Sequence, residues 1–252
     1  LTGIKFIYML GIGGIGMSAL ARYFKCKGIN VFGYDKVHSD LCKELELEGF
    51  KIRYKSDVGD MLDLIKDIPS DQLLIIYTPA ISSINLELEF LKKNNYNVYK
   101  RAEILGEISK TCFTIAIAGT HGKTTTTAIL SHILKELGMP MVAFLGGVSK
   151  NYNTNLLYDK NSDLFVIEAD EYDRSFLHLH PNIVVITSID IDHIDTYKSK
   201  KDLENTFIKF VSQIKEKGLA IIEESIPVSF SSVNHVKLLK YSASKKADYY
   251  AD

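Results

Sequence analysis

The stretch Gly119-Thr120-His121-Gly122-Lys123-Thr124-Thr125-Thr126-Thr127 carries residue types suited to a nucleoside triphosphate. Glycines let a backbone come close to a phosphate. Lys123 brings a point charge for the β- and γ-phosphates, and the Thr124 hydroxyl is an oxygen ligand for Mg²⁺. The pattern departs from G-x-x-x-x-G-K-[ST] in one place: Ile117 stands where the first glycine is wanted. The apolar run Cys112–Ala118 ahead of the loop reads as a buried strand. Beyond it Ala128, Ile129, Leu130, Ile133, Leu134 and Leu137 recur at helical spacing, until Gly138 and Pro140 end the pattern. Such a strand–loop–helix corner aims unpaired amides and the positive end of a helix dipole at one point. That point suits phosphate. Gly119, Thr120, His121, Gly122, Lys123, Thr124 and Thr125 are the expected ATP-binding residues.

A second glycine loop opens the chain. Ile4–Leu10 reads as a strand, Gly11-Ile12-Gly13-Gly14-Ile15-Gly16 follows at once, and a helix runs from about Met17 to Lys27. This is G-x-G-x-x-G in the strand–turn–helix context of a Rossmann-like fold, which cradles a nucleotide diphosphate. Asp35 ends the next strand, Asn30–Tyr34, where an acid holds a ribose hydroxyl in dinucleotide enzymes. Further units follow. Helices are expected over Asp40–Glu48 and Asn85–Asn94, with strands over Lys51–Tyr54, Gln72–Tyr77 (running into Thr78-Pro79-Ala80) and Asn97–Tyr99. Arg101–Lys110 reads as a connecting helix. The pattern places a domain boundary near Ser109, giving units 1–108 and 109–252.

Two acid runs form a third cluster. The strand Asp163–Ala169 leads into Glu168-Ala169-Asp170-Glu171-Tyr172-Asp173, and the strand Ile183–Ile189 into Asp190-Ile191-Asp192-His193-Ile194-Asp195. Neighbouring strands that both end in acids put carboxylates at one sheet edge, the edge that also holds a phosphate loop. An acid there recruits Mg²⁺ through oxygen. His193, within the second run, offers a nitrogen ligand or a hydrogen bond beside these acids. His178 and His180 read as packing or surface residues. A helix at Lys201–Lys217 and strands at Leu219–Glu223 and Val236–Tyr241 complete the pattern.

Over 252 residues, 46% are hydrophobic and 24% charged, as in globular proteins, and a net charge of −1 argues against a nucleic-acid or membrane-surface partner. The apolar opening lacks a basic n-region and is broken by glycines, so it reads as strand and loop rather than signal peptide or membrane span. Cys26, Cys42 and Cys112 have neither metal nor disulfide spacing and fit a reducing cytosol.

Taken together, the motifs resemble the Mur ligases. Gly119-Thr120-His121-Gly122-Lys123-Thr124-Thr125 is similar to that family's ATP loop, which also lacks the first Walker glycine. Gly11 to Leu20, Glu168-Ala169-Asp170-Glu171 and Asp192-His193-Ile194-Asp195-Thr196-Tyr197 resemble segments of the member that adds L-alanine to UDP-N-acetylmuramate. The resemblance implies an α/β chain: an N-terminal Rossmann-like parallel sheet that holds the UDP-sugar, then a P-loop-type ATP-binding α/β domain. It implies that Lys123 contacts the β/γ-phosphates, that Thr124 and Glu168 hold one Mg²⁺, and that His193 sits at a second metal position, making Lys123, Glu168 and His193 the expected catalytic residues. The UDP site maps to Gly11, Gly13, Gly14, Ile15 and Gly16, with Asp35, Thr78, Pro79 and Ala80 as further candidates. The implied setting is peptidoglycan precursor synthesis in the bacterial cytoplasm. In the family the central domain continues past this kind of segment and a C-terminal domain follows, so residues 1–252 alone are expected to bind ligands without forming amide. A tripeptide-adding relative is the nearest alternative. It tends to carry extra residues between the acid run and Pro181, for which Arg174–His180 leave no room. A nicotinamide-dependent dehydrogenase leaves Gly119–Thr127 unexplained, and a non-catalytic nucleotide-binding regulator is the third alternative.

Overall fold

The computed structural model describes residues 2–82, 84–190, 197–244 and 246–251. The chain builds two sheets. The first is β1 (Phe6–Leu10), α1 (Ile15–Cys26), β2 (Asn30–Tyr34), α2 (Asp40–Leu47), β3 (Lys51–Arg53), α3 (Val58–Ile65), β4 (Leu73–Tyr77), α4 (Leu86–Lys93) and β5 (Val98–Lys100). Its strands are all parallel in the order β3-β2-β1-β4-β5. The order reverses at β1, so the loops after β1 and β4 flank a crevice at the carboxyl edge. Gly11–Gly16 and Thr78–Ala80 are those two loops. They touch: a Cβ at Gly11, where φ is +84°, would lie 2.4 Å from the Thr78 methyl.

Helix α5 (Arg101–Thr111) leads to the second sheet. This comprises β6 (Phe113–Ala118), α6 (Lys123–Glu136), β7 (Val142–Ser149), β8 (Thr154–Tyr158), β9 (Leu164–Glu168), a 3₁₀ segment (Tyr172–His178), β10 (Ile183–Ile186), α7 (Lys200–Ser212), β11 (Leu219–Glu223), β12 (Lys237–Ser242) and β13 (Tyr249–Tyr250). The order is β13-β12-β11-β10-β6-β9-β7-β8, parallel apart from the β7–β8 hairpin. Strand β6 sits between β9 and β10. The two acid-ending strands are therefore not sheet neighbours, as expected from sequence, but flank the strand that feeds the phosphate loop. All three carboxyl ends still share one edge.

Four features differ from the sequence expectations. Helix α3 and the β7–β8 hairpin carry no strong pattern, since Gly59 and the Gly146-Gly147 pair interrupt them. Strand β10 stops at Ile186 rather than Ile189, because Thr187 and Ser188 leave the ladder to brace the phosphate loop. Helix α7 stops at Ser212, and Lys215 beyond it donates to the carbonyls of Ser109 and Cys112.

The two sheets are joined through α1. Its outer face packs on the hairpin: Tyr23 lies 5.4 Å from Phe144, 5.9 Å from Phe165 and 6.1 Å from Tyr158, ring centre to ring centre. One core cluster accordingly runs from Ile7 and Leu20 to Phe165 and Ile186. Each fully buried large apolar side chain in it contributes roughly 1.5–3 kcal/mol. Asn155 on β8, wholly buried, adds direction. Its amide donates to the Ile15 carbonyl at 2.7 Å and the Ser18 hydroxyl at 2.8 Å, and its carbonyl accepts from Arg22. Truncating it strands several buried polar groups, each costing about 1–3 kcal/mol. Asn155→Ala should therefore lower stability by at least about 1–3 kcal/mol, measured by urea unfolding. A loss below about 0.5 kcal/mol, the ordinary surface value, would show that this contact does not hold the sheets together.

Candidate active site

Both glycine loops end in helices that have no side chain on their N-termini. Helices α2, α3, α4 and α7 are each capped by Ser39, Asp57, Asn85 or Ser199, whose side chains accept a first-turn amide. Helix α1 begins at Gly14 and α6 at Gly122, neither with a side-chain cap nor with an acid in the first turn. Their first-turn amides and dipoles are thus left for an external anion.

The second loop is held tightly from behind. Gly119 has a φ of +138°, and a Cβ there would lie 2.1 Å from Thr187 Oγ1; Gly122, in the left-handed region at +79°, turns the chain into α6. Ser188 Oγ lies 2.9 Å from Thr120 Oγ1 and accepts the His121 amide at 2.9 Å, while Thr120 Oγ1 accepts the Asp190 amide at 3.0 Å. Thr120 and the His121 amide thus spend their hydrogen bonds on the segment that follows β10. His121's ring stands exposed, 4.0 Å from Asp190. Lys123, Thr124 and Thr125 form the free first turn of α6. Ile117 lies buried within β6, paired with Val185 and Glu168, so the loop begins two residues later than in the Walker pattern.

The acids after β9 divide their roles. Glu168 Oε1 accepts from the Thr124 hydroxyl at 3.1 Å. Its Oε2 is buried with no hydrogen-bond partner among the described residues, over Gly146, where any Cβ would collide with it. Burial pushes the Glu168 carboxyl pKa up, opposed by the Thr124 hydroxyl and the Lys123 charge. Glu171 is completely buried and faces Lys123, its Oε2 2.8 Å from Nζ. The Lys123 ammonium also donates to the Gly119 carbonyl at 2.6 Å. The Tyr197 hydroxyl holds the Glu171 carbonyl at 2.6 Å. Asp173 reaches back to Lys100 at the end of β5, 2.8 Å away. The pairing of Glu171 with Lys123 leaves one signal in the sequence, an acid three residues past the strand-end acid.

In the first loop Asp35 accepts the Gly13 amide at 2.8 Å and the Val37 amide at 3.0 Å, so its carboxylate braces the loop. Gly13 has no space for a side chain, with Cys42 Sγ 2.3 Å from the would-be Cβ. Gly16 lies against the Arg101 guanidinium. Arg101 also lines, with Gly146, Glu168 and Asp170, a cavity of about 100 Å³ between the two sheets. The first loop borders this cavity through Ile15 and Gly16, and the second is joined to it through Glu168, which accepts from Thr124. A larger cleft of about 610 Å³ lies elsewhere, at the amino edge of the first sheet, lined by Ile4, Tyr99, Glu107, His178 and His180, and contains neither loop. His193 lies outside the described residues. Among the described residues no group of three or more His, Cys, Asp or Glu is arranged to hold a metal.

Comparison with known proteins agrees with this arrangement. Residues 117–252 match the Mur ligase middle domain, and residues 6–112 match the Mur ligase family, catalytic domain. The chain is 47% identical over 233 residues to a UDP-N-acetylmuramate–L-alanine ligase of Christiangramia forsetii, covering 92% of this chain and 51% of that protein. It thus spans about half the length of the curated relatives it matches. Among solved structures, a UDP-N-acetylmuramate–alanine ligase from Thermotoga maritima superposes with a TM-score of 0.79 at 26% identity, covering 95% of this chain and 53% of that one. The UDP-N-acetylmuramate:L-alanyl-γ-D-glutamyl-meso-diaminopimelate ligase from Neisseria meningitides gives 0.84 at 25% identity, covering 96% and 81%. Two glycine loops on uncapped helices, at the switch points of two joined parallel sheets, are thus this chain's version of a shared architecture, and the chain belongs to the Mur ligase family.

Proposed function

We propose that this chain acts in the ATP-dependent joining of L-alanine to the lactyl carboxylate of UDP-N-acetylmuramate, a step of peptidoglycan precursor synthesis in the bacterial cytoplasm. The observation that carries the reading is that Glu168 links two uncapped, glycine-lined helix N-termini: it shares a cavity with Ile15 and Gly16 of the first and accepts from Thr124 of the second. One loop suits the diphosphate of the UDP-sugar and the other the phosphates of ATP. Among the described residues no helix is long and apolar enough to cross a membrane.

The chemistry follows from leaving groups. A carboxylate cannot expel oxide. Attack of a carboxylate oxygen on the γ-phosphorus forms a P–O bond, breaks the bond to ADP and yields an acyl phosphate. The amine of L-alanine then attacks the carbonyl carbon, phosphate departs, and the nitrogen loses a proton to water. The protein's share is positioning and charge neutralisation. Lys123 is aimed by Glu171 toward the loop's phosphate position, and the amides of Lys123, Thr124 and Thr125 receive phosphate oxygens. Thr124 and Glu168 suit Mg²⁺: both are hard oxygen donors, and the buried, unpartnered Oε2 of Glu168 is an oxygen in need of a cation. Mg²⁺ bound there would neutralise phosphate charge during transfer. Gly11, Gly13, Gly14, Ile15 and Gly16 would hold the UDP diphosphate, with Thr78, Pro79 and Ala80 forming the facing wall and Asp35 keeping the loop in shape. His193 stays in the proposal as a metal-site residue on the motif alone.

Tripeptide addition to the same UDP-sugar is the second reading, favoured by the TM-score of 0.84 to a ligase of that kind. The 47% identity to an L-alanine ligase favours alanine.

Phosphate release from the full protein with UDP-N-acetylmuramate, ATP and a panel of amino acids should respond to L-alanine; a response to the tripeptide alone would reverse the choice. Lys123→Ala should lower turnover by roughly 10²–10³-fold or more, the loss from removing one preorganised donor. Retained turnover would remove the phosphate loop from the mechanism. Glu168→Gln should weaken the Mg²⁺ dependence of ATP-analogue binding by about 10–100-fold, a loss that even outer-shell ligand partners produce. Calorimetry at varied Mg²⁺ reads this without turnover, and an unchanged Mg²⁺ dependence would exclude Glu168 as a ligand.

A further inference from the structure

Arg101 is the first residue of α5, directly after the carboxyl end of β5. Its side chain turns into the cleft between the sheets and passes under the first glycine loop. A Cβ on Gly16 would lie 2.5 Å from Arg101 Nη1 and 2.8 Å from Cζ. The last glycine of the G-x-G-x-x-G pattern therefore makes room for a guanidinium. On its other side Arg101 shares two small cavities with Glu168 and Asp170. Arg101 thus spans the space between the sugar-nucleotide loop and the acid that follows β9.

Arg101 differs from the paired arginines of the chain. Among the described residues its guanidinium forms no hydrogen bond and no ion pair, whereas Arg22, Arg53 and Arg174 are each bound to acids. Burial presses its pKa down, and the charges of Asp170 and Glu168 only partly offset this. A guanidinium stays protonated in proteins. Placing one in a crowded cleft without a partner is costly unless an anion arrives to pair with it. Its planar fork matches a carboxylate with two parallel hydrogen bonds.

We propose that Arg101 binds the carboxylate of the sugar-nucleotide substrate and holds it for attack on the γ-phosphorus of ATP. The assignment rests on the function proposed above. In that reading the diphosphate lies on the α1 amides and the ATP phosphates on the α6 amides, and the group between them is the carboxylate. As the carboxylate oxygen bonds to phosphorus and ADP leaves with the electron pair of the broken bond, no proton moves. The product acyl phosphate carries more negative charge than the carboxylate it replaces. Arg101 can keep one branch of its fork on the acyl oxygen and bring the other toward the new phosphoryl group. The same charge sets specificity, since a UDP-sugar without a carboxylate leaves the guanidinium unpaired.

The test compares ligands with and without the carboxylate on the full protein. Arg101→Met should weaken UDP-N-acetylmuramate about 10–100-fold, the loss of a charge-assisted pair. It should leave UDP and a non-hydrolysable ATP analogue within about twofold, too small a change to represent a lost contact. Phosphate release at saturating substrate should fall as well, because the positioned group is the attacking one. Arg101→Lys, which keeps the charge without the fork, should restore part of the binding and less of the turnover. If Arg101→Met does not fold, Arg101→Lys carries the comparison. Equal losses for UDP and UDP-N-acetylmuramate would mean a diphosphate contact or a merely structural role, and would overturn the assignment. So would unchanged affinity for both. Failure of the unaltered protein to bind UDP-N-acetylmuramate would instead overturn the functional reading, and this assignment with it.

Discussion

The docking of α1 onto the β7–β8 hairpin is the constraint on which the site depends. One face of α1 belongs to the first sheet and the other is buried against the second. The same helix starts at the first glycine loop, so its position sets where that loop points. Asn155 ties the helix start to β8 through the Ile15 carbonyl and the Ser18 hydroxyl, only a few residues from Gly14 and Gly16. Apolar packing around Tyr23 supplies stabilisation without direction, and the Asn155 bonds supply direction. Two glycine corners that could have faced different ways are thereby held on either side of Glu168.

The polar groups within that cleft are arranged by the need to satisfy buried charge. Glu171 is completely buried and would be strongly disfavoured alone, so Lys123 lies against it. The pair holds the lysine stem at the loop and prevents its swinging into solvent. Glu168 is paired less completely, with Thr124 on one oxygen and no hydrogen-bond partner on the other among the described residues. Arg101 is unpaired. The cleft thus contains one satisfied ion pair and two groups of opposite charge that remain open to a ligand. Such incompletely satisfied groups carry a folding cost that a binding site can recover when its ligand arrives.

The rear of the phosphate loop shows how strand ends are used. Strand β10 ends early so that Thr187 and Ser188 can bond the loop. Their backbones stay bonded to Ala118 and Thr120, and the added side-chain bonds hold the loop before any nucleotide binds. The strand-end acids flank β6 on both sides, which is the natural result of a switch point at that strand.

Much of this was legible in the amino-acid sequence. Two glycine loops, each between a strand and a helix, specify two tight corners suited to phosphate because local sterics demand glycine where φ is positive or the backbone must come close. The parallel α/β class follows from alternating apolar runs, and Glu168 is readable as a strand-end acid beside the phosphate loop. These are short-range properties, within reach of sequence periodicity. What only the tertiary structure decided are the long-range pairings. The sequence does not say that β6 separates β9 from β10, that Glu171 rather than another acid of its run meets Lys123, or that Asp35 braces its own loop. Nor does it say that Gly16 is a glycine because Arg101, from a different element, passes beneath it. The β7–β8 hairpin was illegible for the same reason: Gly146 breaks its strand pattern to clear space for Glu168, a residue on a neighbouring strand. A residue chosen to fit a partner distant in the chain leaves no periodic trace around itself, so its purpose emerges only when the chain has folded.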